Sequence, residues 1–191
     1  IRFVFESFVE HGDKVIITAP TFAMYPVYSQ MFGAKPIELH YKPSEDGPQL
    51  KIETIIEAVQ EDNPKLLCLP NPDSPTGTVL SQTELRDVLD VCELNRTVLL
   101  VDEAYHPFYE PTVVSWTSSS RNLIVARTFA KAWGNAGLRI GYVVSHPETA
   151  ELLHKMRPMY ETSTLAVEFM FRMLDHVKDM EQAVSRIKKA K

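Results

Sequence analysis

The order of apolar and polar residues divides the chain into short apolar runs that alternate with amphipathic stretches. The runs are rich in Val, Ile and Leu, which is typical of buried β-strands. The stretches between them carry apolar residues three and four positions apart, which predicts helices. The predicted strands are 14–19, 35–39, 65–69, 98–101, 123–126 and 140–144, and the predicted helices are 1–9, 22–32, 52–60 and 81–94.

Local signals support several of these boundaries. Ser81 is followed three residues later by Glu84, a capping-box pattern that predicts the start of a helix. The segment 40–49 contains two prolines and a glycine, which predicts a surface loop. From Pro147 onward the pattern is helical nearly to the end of the chain, with a break predicted near 157–158, where a proline follows an arginine.

Strands that alternate with helices predict a three-layer α/β/α fold around a mainly parallel sheet. Ligands of such sheets bind beyond the carboxyl ends of the strands. Three stretches with reactive side chains, 70–77, 102–105 and 127–139, each follow directly after a predicted strand. We therefore expect them to converge on one pocket.

Composition narrows the classes of partner and compartment. The chain has 191 residues, enough for one domain with a large core or for part of something bigger. A net charge of -5 makes nucleic acid and acidic membranes poor candidate partners, and no apolar run approaches the length of a membrane span. Cys68 and Cys92 both fall in predicted core positions, which favours a reducing compartment. The expectation is a soluble cytoplasmic protein.

The ends of the sequence suggest a segment of a longer polypeptide. Ile1 is not a methionine, and the first residues already have a helical pattern. The last helical stretch has no cap or stop signal.

Asp102 follows an apolar strand, so we expect it to be partly buried and to need a cationic partner. A metal ion is one candidate, but His106 beside Asp102 and Glu103 is too small a set of ligands. A protonated heterocyclic nitrogen is the other candidate. A carboxylate that keeps a pyridine nitrogen protonated makes the ring an electron sink, which is the chemistry of pyridoxal phosphate (PLP).

Lys131 and Arg139 suggest a site that offers an amine and holds a phosphate. Lys131 is flanked by alanines and lies near two aromatic residues, an apolar setting that favours the neutral amine needed for a Schiff base. The Arg139 guanidinium and the Thr128 hydroxyl suit a phosphate, and a phenol at Tyr105 could hydrogen-bond a ring hydroxyl. The alternative for each residue is an ordinary structural role: a surface lysine, a capping or ion-paired arginine, a strand-ending threonine, a packed tyrosine.

Three motifs carry a resemblance to a known family. They are NPDSPTG at 71–77, VDEAY at 101–105 and RTFAKAWGNAGLRIGY at 127–142. In this order and spacing they resemble the signatures of fold-type I PLP-dependent aminotransferases of class I/II. The nearest branch is that of histidinol-phosphate aminotransferase, whose relatives include a threonine-phosphate decarboxylase. The similarity extends from APTFAMY at 19–25 to the strand at 140–144.

The resemblance implies PLP as cofactor and a role for each matched residue. Lys131 would carry PLP as a Schiff base and later move a proton, and Asp102 would pair with the pyridinium nitrogen. Tyr105 would bond the ring oxygen, and Phe22 would stack on the ring. Thr128 and Arg139 would hold the phosphate.

Two positions depart from the family pattern. Ser74 stands where the family has an asparagine that donates to the ring oxygen, and a serine hydroxyl reaches less far. Ala130 stands where the family often has a serine that contacts the phosphate. Both changes should weaken cofactor binding or shift the pKa of the Schiff base, without removing the residues that define the chemistry.

The resemblance also implies how the chain is organised. Residues 1–178 would form the PLP-binding large domain, incomplete at its N-terminus, and 179–191 would begin a helix that connects to a small domain. The active form would be a homodimer that transfers an amino group between an amino acid or amine, possibly phosphorylated, and a 2-oxo acid.

Three other functions are alternatives. A PLP-dependent decarboxylase or lyase could use the same scaffold. A non-catalytic, truncated or degenerate module is favoured by Ser74 and Ala130. It is opposed by the intact Lys131, Asp102, Tyr105 and Arg139. A nucleotide-binding domain is disfavoured, because no glycine-rich turn follows the first strand. We expect this segment alone to have little or no turnover.

Overall fold

The computed structural model describes residues 1–156 and 161–190. Strands and helices alternate through most of this part of the chain. The strands are β1 (Lys14–Ala19), β2 (Lys35–His40), β3 (Leu66–Pro70), β4 (Val98–Asp102), β5 (Leu123–Thr128) and β6 (Gly141–Ser145). The helices are α1 (Arg2–Phe8), α2 (Met24–Met31), α3 (Ile52–Asp62), α4 (Gln82–Leu94), α5 (Pro147–Lys155), α6 (Thr164–Leu174) and α7 (Val177–Lys189).

The six strands form one sheet in the order β2-β1-β3-β4-β5-β6. All neighbouring pairs are parallel except β5 and β6, which are antiparallel. Pro70, Asp102 and Ala126 lie side by side on β3, β4 and β5, so the carboxyl ends of the central strands meet at one edge. The predicted mainly parallel sheet is confirmed.

Helices cover both faces of the sheet, which confirms the predicted three-layer architecture. On one face, α3 and α4 pack on side chains such as Leu99 and Val101. On the other face, α1, α2 and α5 pack on side chains such as Leu100 and Ile124. Successive residues of β4 therefore belong to opposite cores, as the period of a strand requires.

The predicted boundaries are close to those observed, and the differences have local causes. The capping box at Ser81 is present, and α4 starts at the next residue. Helix α2 begins two residues later than predicted, and the Thr21 hydroxyl accepts a hydrogen bond from the Thr18 hydroxyl of β1 at 3.0 Å in the loop before it. Strand β5 continues to Thr128 because β6 pairs with its last residues.

The C-terminal region is helical, as predicted. The break predicted near 157–158 lies outside the described residues. Asp175 and His176 separate α6 from α7. The boundary proposed at 178/179 falls inside α7. No helix of the described residues is long and apolar enough to cross a lipid bilayer.

Both cysteines occupy core positions, as their sequence context predicts. Cys68 and Cys92 are buried free thiols. Burial raises the pKa of Cys92 to about 12, so this thiol stays protonated at neutral pH.

Candidate active site

Asp102 ends β4 at the edge where the strands meet, and it is 6% exposed. Its Oδ2 accepts a hydrogen bond from the Tyr25 hydroxyl at 2.9 Å, and its Oδ1 accepts one from the backbone N–H of Ala104 at 3.0 Å. The ion pairs found among the described residues do not include Asp102. The carboxylate is buried as predicted, and the protein supplies it with neutral donors.

Burial raises the pKa of Asp102, because desolvation disfavours the charged form. The hydrogen bonds from Tyr25 and Ala104 act in the opposite direction. A cation placed next to this carboxylate would favour the ionised form further, so the site is suited to a positively charged ligand group.

Tyr25 is a functional candidate that sequence reasoning missed. The side chain is fully buried on α2, yet its hydroxyl needs a partner, and the partner is Asp102. The Tyr25 ring also contacts Phe22 in a T-shaped arrangement, with centroids 5.7 Å apart and planes at 86°. Phe22 itself is 40% exposed, as a residue that stacks on a ligand would be. The sequence signal that could have indicated Tyr25 was its place three residues after Phe22, in a mostly apolar predicted helix.

Lys131, Tyr105 and Ser74 are brought together from three different loops. The Lys131 Nζ lies 5.1 Å from the centroid of the Tyr105 ring, within cation–π range. The Tyr105 hydroxyl lies 3.4 Å from the Ser74 Oγ. The hydrogen bond with Ser74 lowers the pKa of Tyr105, and the charge of Lys131 adds to this effect, whereas burial opposes it.

The surroundings of Lys131 differ from the expectation. The residue is exposed, not enclosed by apolar side chains. Phe129 packs against Trp133 and Tyr142, with ring centroids 6.0 and 5.4 Å apart. The aromatic residues next to Lys131 in sequence therefore contact one another and leave the amine at the surface.

Thr128 and Arg139 lie at the two ends of the loop that connects β5 to β6. The Thr128 Oγ1 donates to the Ile140 carbonyl at 3.3 Å and accepts from the Ala130 N–H at 3.1 Å. Arg139 is exposed and has a left-handed backbone, and its Nη1 donates to the Ala136 carbonyl at 3.0 Å. Both side chains contact their own loop, and no hydrogen bond joins them in the described structure.

The loop after β3, which carries Ser74, is held by buried polar side chains. The Asn71 side chain donates to the Leu80 carbonyl at 3.1 Å and accepts from the Leu80 N–H at 2.7 Å. Asp73 accepts hydrogen bonds from the Thr18 hydroxyl at 3.2 Å and from the Thr76 N–H at 3.3 Å. These hydrogen bonds hold the turn rigidly and so fix the position of Ser74.

A second buried carboxylate, Glu103, lies next to Asp102 and was also missed as a functional or structural element. Its Oε2 accepts from both Nε and Nη2 of Arg127, at 3.0 and 2.7 Å. The Thr112 hydroxyl bonds the same carboxylate at 2.7 Å, and the Val113 N–H donates to it at 2.9 Å. The sequence signal for this ion pair was a glutamate at the end of one predicted strand and an arginine at the end of the next.

A cavity lies beside these residues, and its lining does not include Asp102 or Lys131. It has a volume of about 710 Å³ and lies between the end of β5 and α7. Its walls include Arg127, Thr128, Trp133, Val184 and Lys188. Among the described residues, no group of three or more histidine, cysteine, aspartate or glutamate side chains could hold a metal ion.

Comparison with known proteins connects this arrangement to one family. The family model "Aminotransferase class I and II" matches residues 1–191. The histidinol-phosphate aminotransferase of Caldanaerobacter subterraneus subsp. tengcongensis is 37% identical over 166 residues, which are 87% of this chain and 46% of that protein. The enzyme of the same name from Roseiflexus castenholzii is 33% identical over 98% of this chain and 48% of its own length.

A solved structure shares the fold. The crystal structure of histidinol-phosphate aminotransferase from Sinorhizobium meliloti, in complex with pyridoxal-5'-phosphate, superposes with a TM-score of 0.88 at 26% identity. The superposition covers 98% of this chain and 51% of that one. The chain thus spans about half the length of the relatives that it matches.

Proposed function

Because the chain belongs to the class I and II aminotransferase family, we propose that it forms the cofactor-binding part of a PLP-dependent aminotransferase. The reaction would transfer an amino group between an amino acid or amine and a 2-oxo acid. The observation that carries the proposal is Asp102, a buried carboxylate at the strand ends whose hydrogen-bond donors in the described structure are neutral.

The residues present fit PLP. A protonated pyridine nitrogen is a cation that Asp102 could pair with, and the partly exposed Phe22 contacts Tyr25, the hydrogen-bond partner of Asp102. Tyr105 has a hydroxyl close to Ser74, so the two groups could share the ring oxygen as acceptor. When bound, PLP supplies an electron sink for the pair of electrons released at the substrate carbon.

Each residue of the chain would have a separate task. The Asp102 carboxylate would hold the proton of the ring nitrogen. The Lys131 Nζ would be the attachment point and would then take up and return the proton of the substrate carbon that bears the amino group. Thr128 and Arg139 would hold the phosphate after their side chains leave their present loop contacts.

The relatives favour a specific class of substrate. The two relatives named above are histidinol-phosphate aminotransferases, so a phosphorylated or otherwise polar amine is the proposed donor. Residues 1–178 would form the large domain of a cytoplasmic homodimer, with a small domain beyond 179–191. A carboxylate or phosphate of the substrate would then be bound by parts outside this chain.

Trapping the cofactor on the protein tests the proposal directly. The protein is incubated with PLP, its absorption spectrum is recorded, and borohydride reduction is followed by peptide mapping. A yellow species trapped on Lys131 is the expected result. Lys131→Ala should lose it, and Lys155→Ala, which changes another lysine at the end of α5, should retain it. An adduct spread over several lysines, or none in the whole protein, would contradict the proposal.

The reaction type needs a separate measurement on the whole protein. Turnover that depends on 2-oxoglutarate would support transamination, with histidinol phosphate as the first donor to try. Release of carbon dioxide without need for a 2-oxo acid would instead indicate a decarboxylase. A trapped adduct without either activity would favour the degenerate module.

A further inference from the structure

The fully buried hydroxyl of Tyr25 has a role that the proposed reaction does not yet assign. Tyr25 is in α2, on the face of the sheet opposite to α3 and α4. Its hydroxyl donates to the Oδ2 of Asp102, a residue 77 positions later in the chain. A buried phenol that meets a buried carboxylate provides a strong, charge-assisted hydrogen bond.

The geometry holds the carboxylate from two sides. Tyr25 donates to Oδ2 and the Ala104 N–H donates to Oδ1, so neither oxygen is free to rotate away. Tyr25 is itself held in place, because its carbonyl accepts from the Ser29 hydroxyl at 2.9 Å and its ring forms a T-shaped contact with Phe22. The orientation of Asp102 is therefore set by Tyr25 of α2 and by the backbone of Ala104, and not by solvent.

We propose that Tyr25 is a positioning residue that acts on the cofactor through Asp102. Its hydroxyl orients the carboxylate and keeps it ionised, so that Asp102 can hold the proton on the ring nitrogen. The proposal rests on the proposed function, since it needs PLP at this site. In support, the Tyr25 hydrogen bond counteracts the burial that raises the pKa of Asp102.

Cofactor binding by the whole protein tests this role without relying on activity. Tyr25→Phe removes one hydroxyl and keeps the ring that fills the core. Tyr28→Phe is the matched control, because it removes a hydroxyl from the same helix and its ring packs on Phe5, 5.7 Å away. Each protein is titrated with PLP and with an analogue in which a C–H group replaces the ring nitrogen.

The two ligands separate positioning from mere packing. For Tyr25→Phe we expect PLP to bind about 10-fold more weakly, since a hydrogen bond to a charged group is lost. The affinity for the analogue should change by less than about twofold, because Asp102 has no ring proton to hold there. Tyr28→Phe should leave both affinities within about twofold of wild type.

Other outcomes overturn the proposal in distinguishable ways. Equal losses for PLP and the analogue would show that Tyr25 only supports the fold, and unchanged PLP affinity would show that its hydroxyl is not used. If the wild-type protein binds no PLP, the proposed function fails together with this inference. If Tyr25→Phe does not fold, 3-fluorotyrosine at position 25 replaces it. Its stronger donor should tighten PLP binding but not analogue binding, and unchanged or equal effects would contradict the role.

Discussion

Asp102 and Glu103 are adjacent buried carboxylates with opposite environments. Asp102 faces the core with α2 and accepts hydrogen bonds from Tyr25 and Ala104. Glu103 faces the other core and accepts from Arg127, Thr112 and Val113. One residue has an arginine beside it, and the other has neutral donors.

The difference separates a structural charge from one available for chemistry. A buried carboxylate that is paired with a bidentate arginine is already neutralised, and its loss leaves the arginine without a partner. A buried carboxylate with neutral donors remains able to hold an external cation. Asp102 is the last residue of β4 and Glu103 follows it in extended chain, where successive side chains point to opposite sides.

The largest expected effect is on stability and concerns Glu103, the carboxylate that is paired with Arg127. Glu103→Ala leaves Arg127 partly buried without its carboxylate, which should lower the free energy of unfolding by about 3–5 kcal/mol. Urea unfolding followed by circular dichroism measures it. Glu110→Ala is the control, because Glu110 forms an exposed ion pair with Lys188 and should cost less than about 1 kcal/mol. Equal costs for the two variants would refute the distinction.

The next largest effect is on turnover and concerns Asp102, the carboxylate with neutral donors. Asp102→Asn keeps the shape but removes the charge, so turnover of the whole protein should fall roughly 100-fold. The free energy of unfolding should stay within about 1 kcal/mol of wild type, since the Ala104 N–H can still donate to the amide oxygen and the Tyr25 hydroxyl can accept from the amide nitrogen. Asp90→Asn, on the exposed face of α4, should change neither quantity. A large loss of stability with Asp102→Asn would show that Asp102, like Glu103, mainly stabilises the fold.

A smaller effect on stability tests whether Glu103 needs the shape of the arginine or only its charge. Arg127→Lys keeps the positive charge but loses the fork that bonds Glu103 through Nε and Nη2. We expect the free energy of unfolding to fall by roughly 1.5 kcal/mol, as for the loss of one hydrogen bond to a charged group. Arg121→Lys is the control, because Arg121 pairs with Glu148 at the surface. A change no larger than that of the control would show that charge alone is enough.

The smallest effect is a difference in pH dependence. Burial raises the pKa of Asp102 above its ordinary value of 3.8. Between pH 3.8 and the raised pKa, the folded chain therefore binds more protons than the unfolded chain. The contribution of Asp102 to stability therefore falls as pH rises through this window. Without PLP, Asp102→Asn should become more stable relative to wild type as the pH rises from about 3.8 through the raised pKa of Asp102. Thermal unfolding at each pH measures the difference, and a constant difference would contradict the assignment.

Much of the fold was predictable because its signals are local. The bounds predicted for β1 are those observed, and the capping box of α4 is present at Ser81. The candidate residues after β3, β4 and β5 lie at one edge, since parallel strands place their carboxyl ends together. Within this set, the structure joins Ser74, Tyr105 and Lys131 by direct proximity.

Other parts of the site were not predictable from local patterns. Lys131 is exposed although its sequence neighbours are apolar, because Phe129 and Trp133 pack on each other. The side chain of Arg139 bonds its own loop, a contact that depends on a left-handed backbone at that residue. In both cases the direction of a side chain depends on a loop whose sequence allows several conformations.

The sequence by itself determined the elements, the order of the motifs and the family, because periodicity, capping and motif spacing are properties of neighbouring residues. Only the tertiary structure decided which buried carboxylate received which partner. Tyr25 reaches Asp102 across 77 positions, and Arg127 reaches Glu103 across 24. Such pairings depend on strand order and on the face to which each side chain points, and these follow from the packing of the whole sheet.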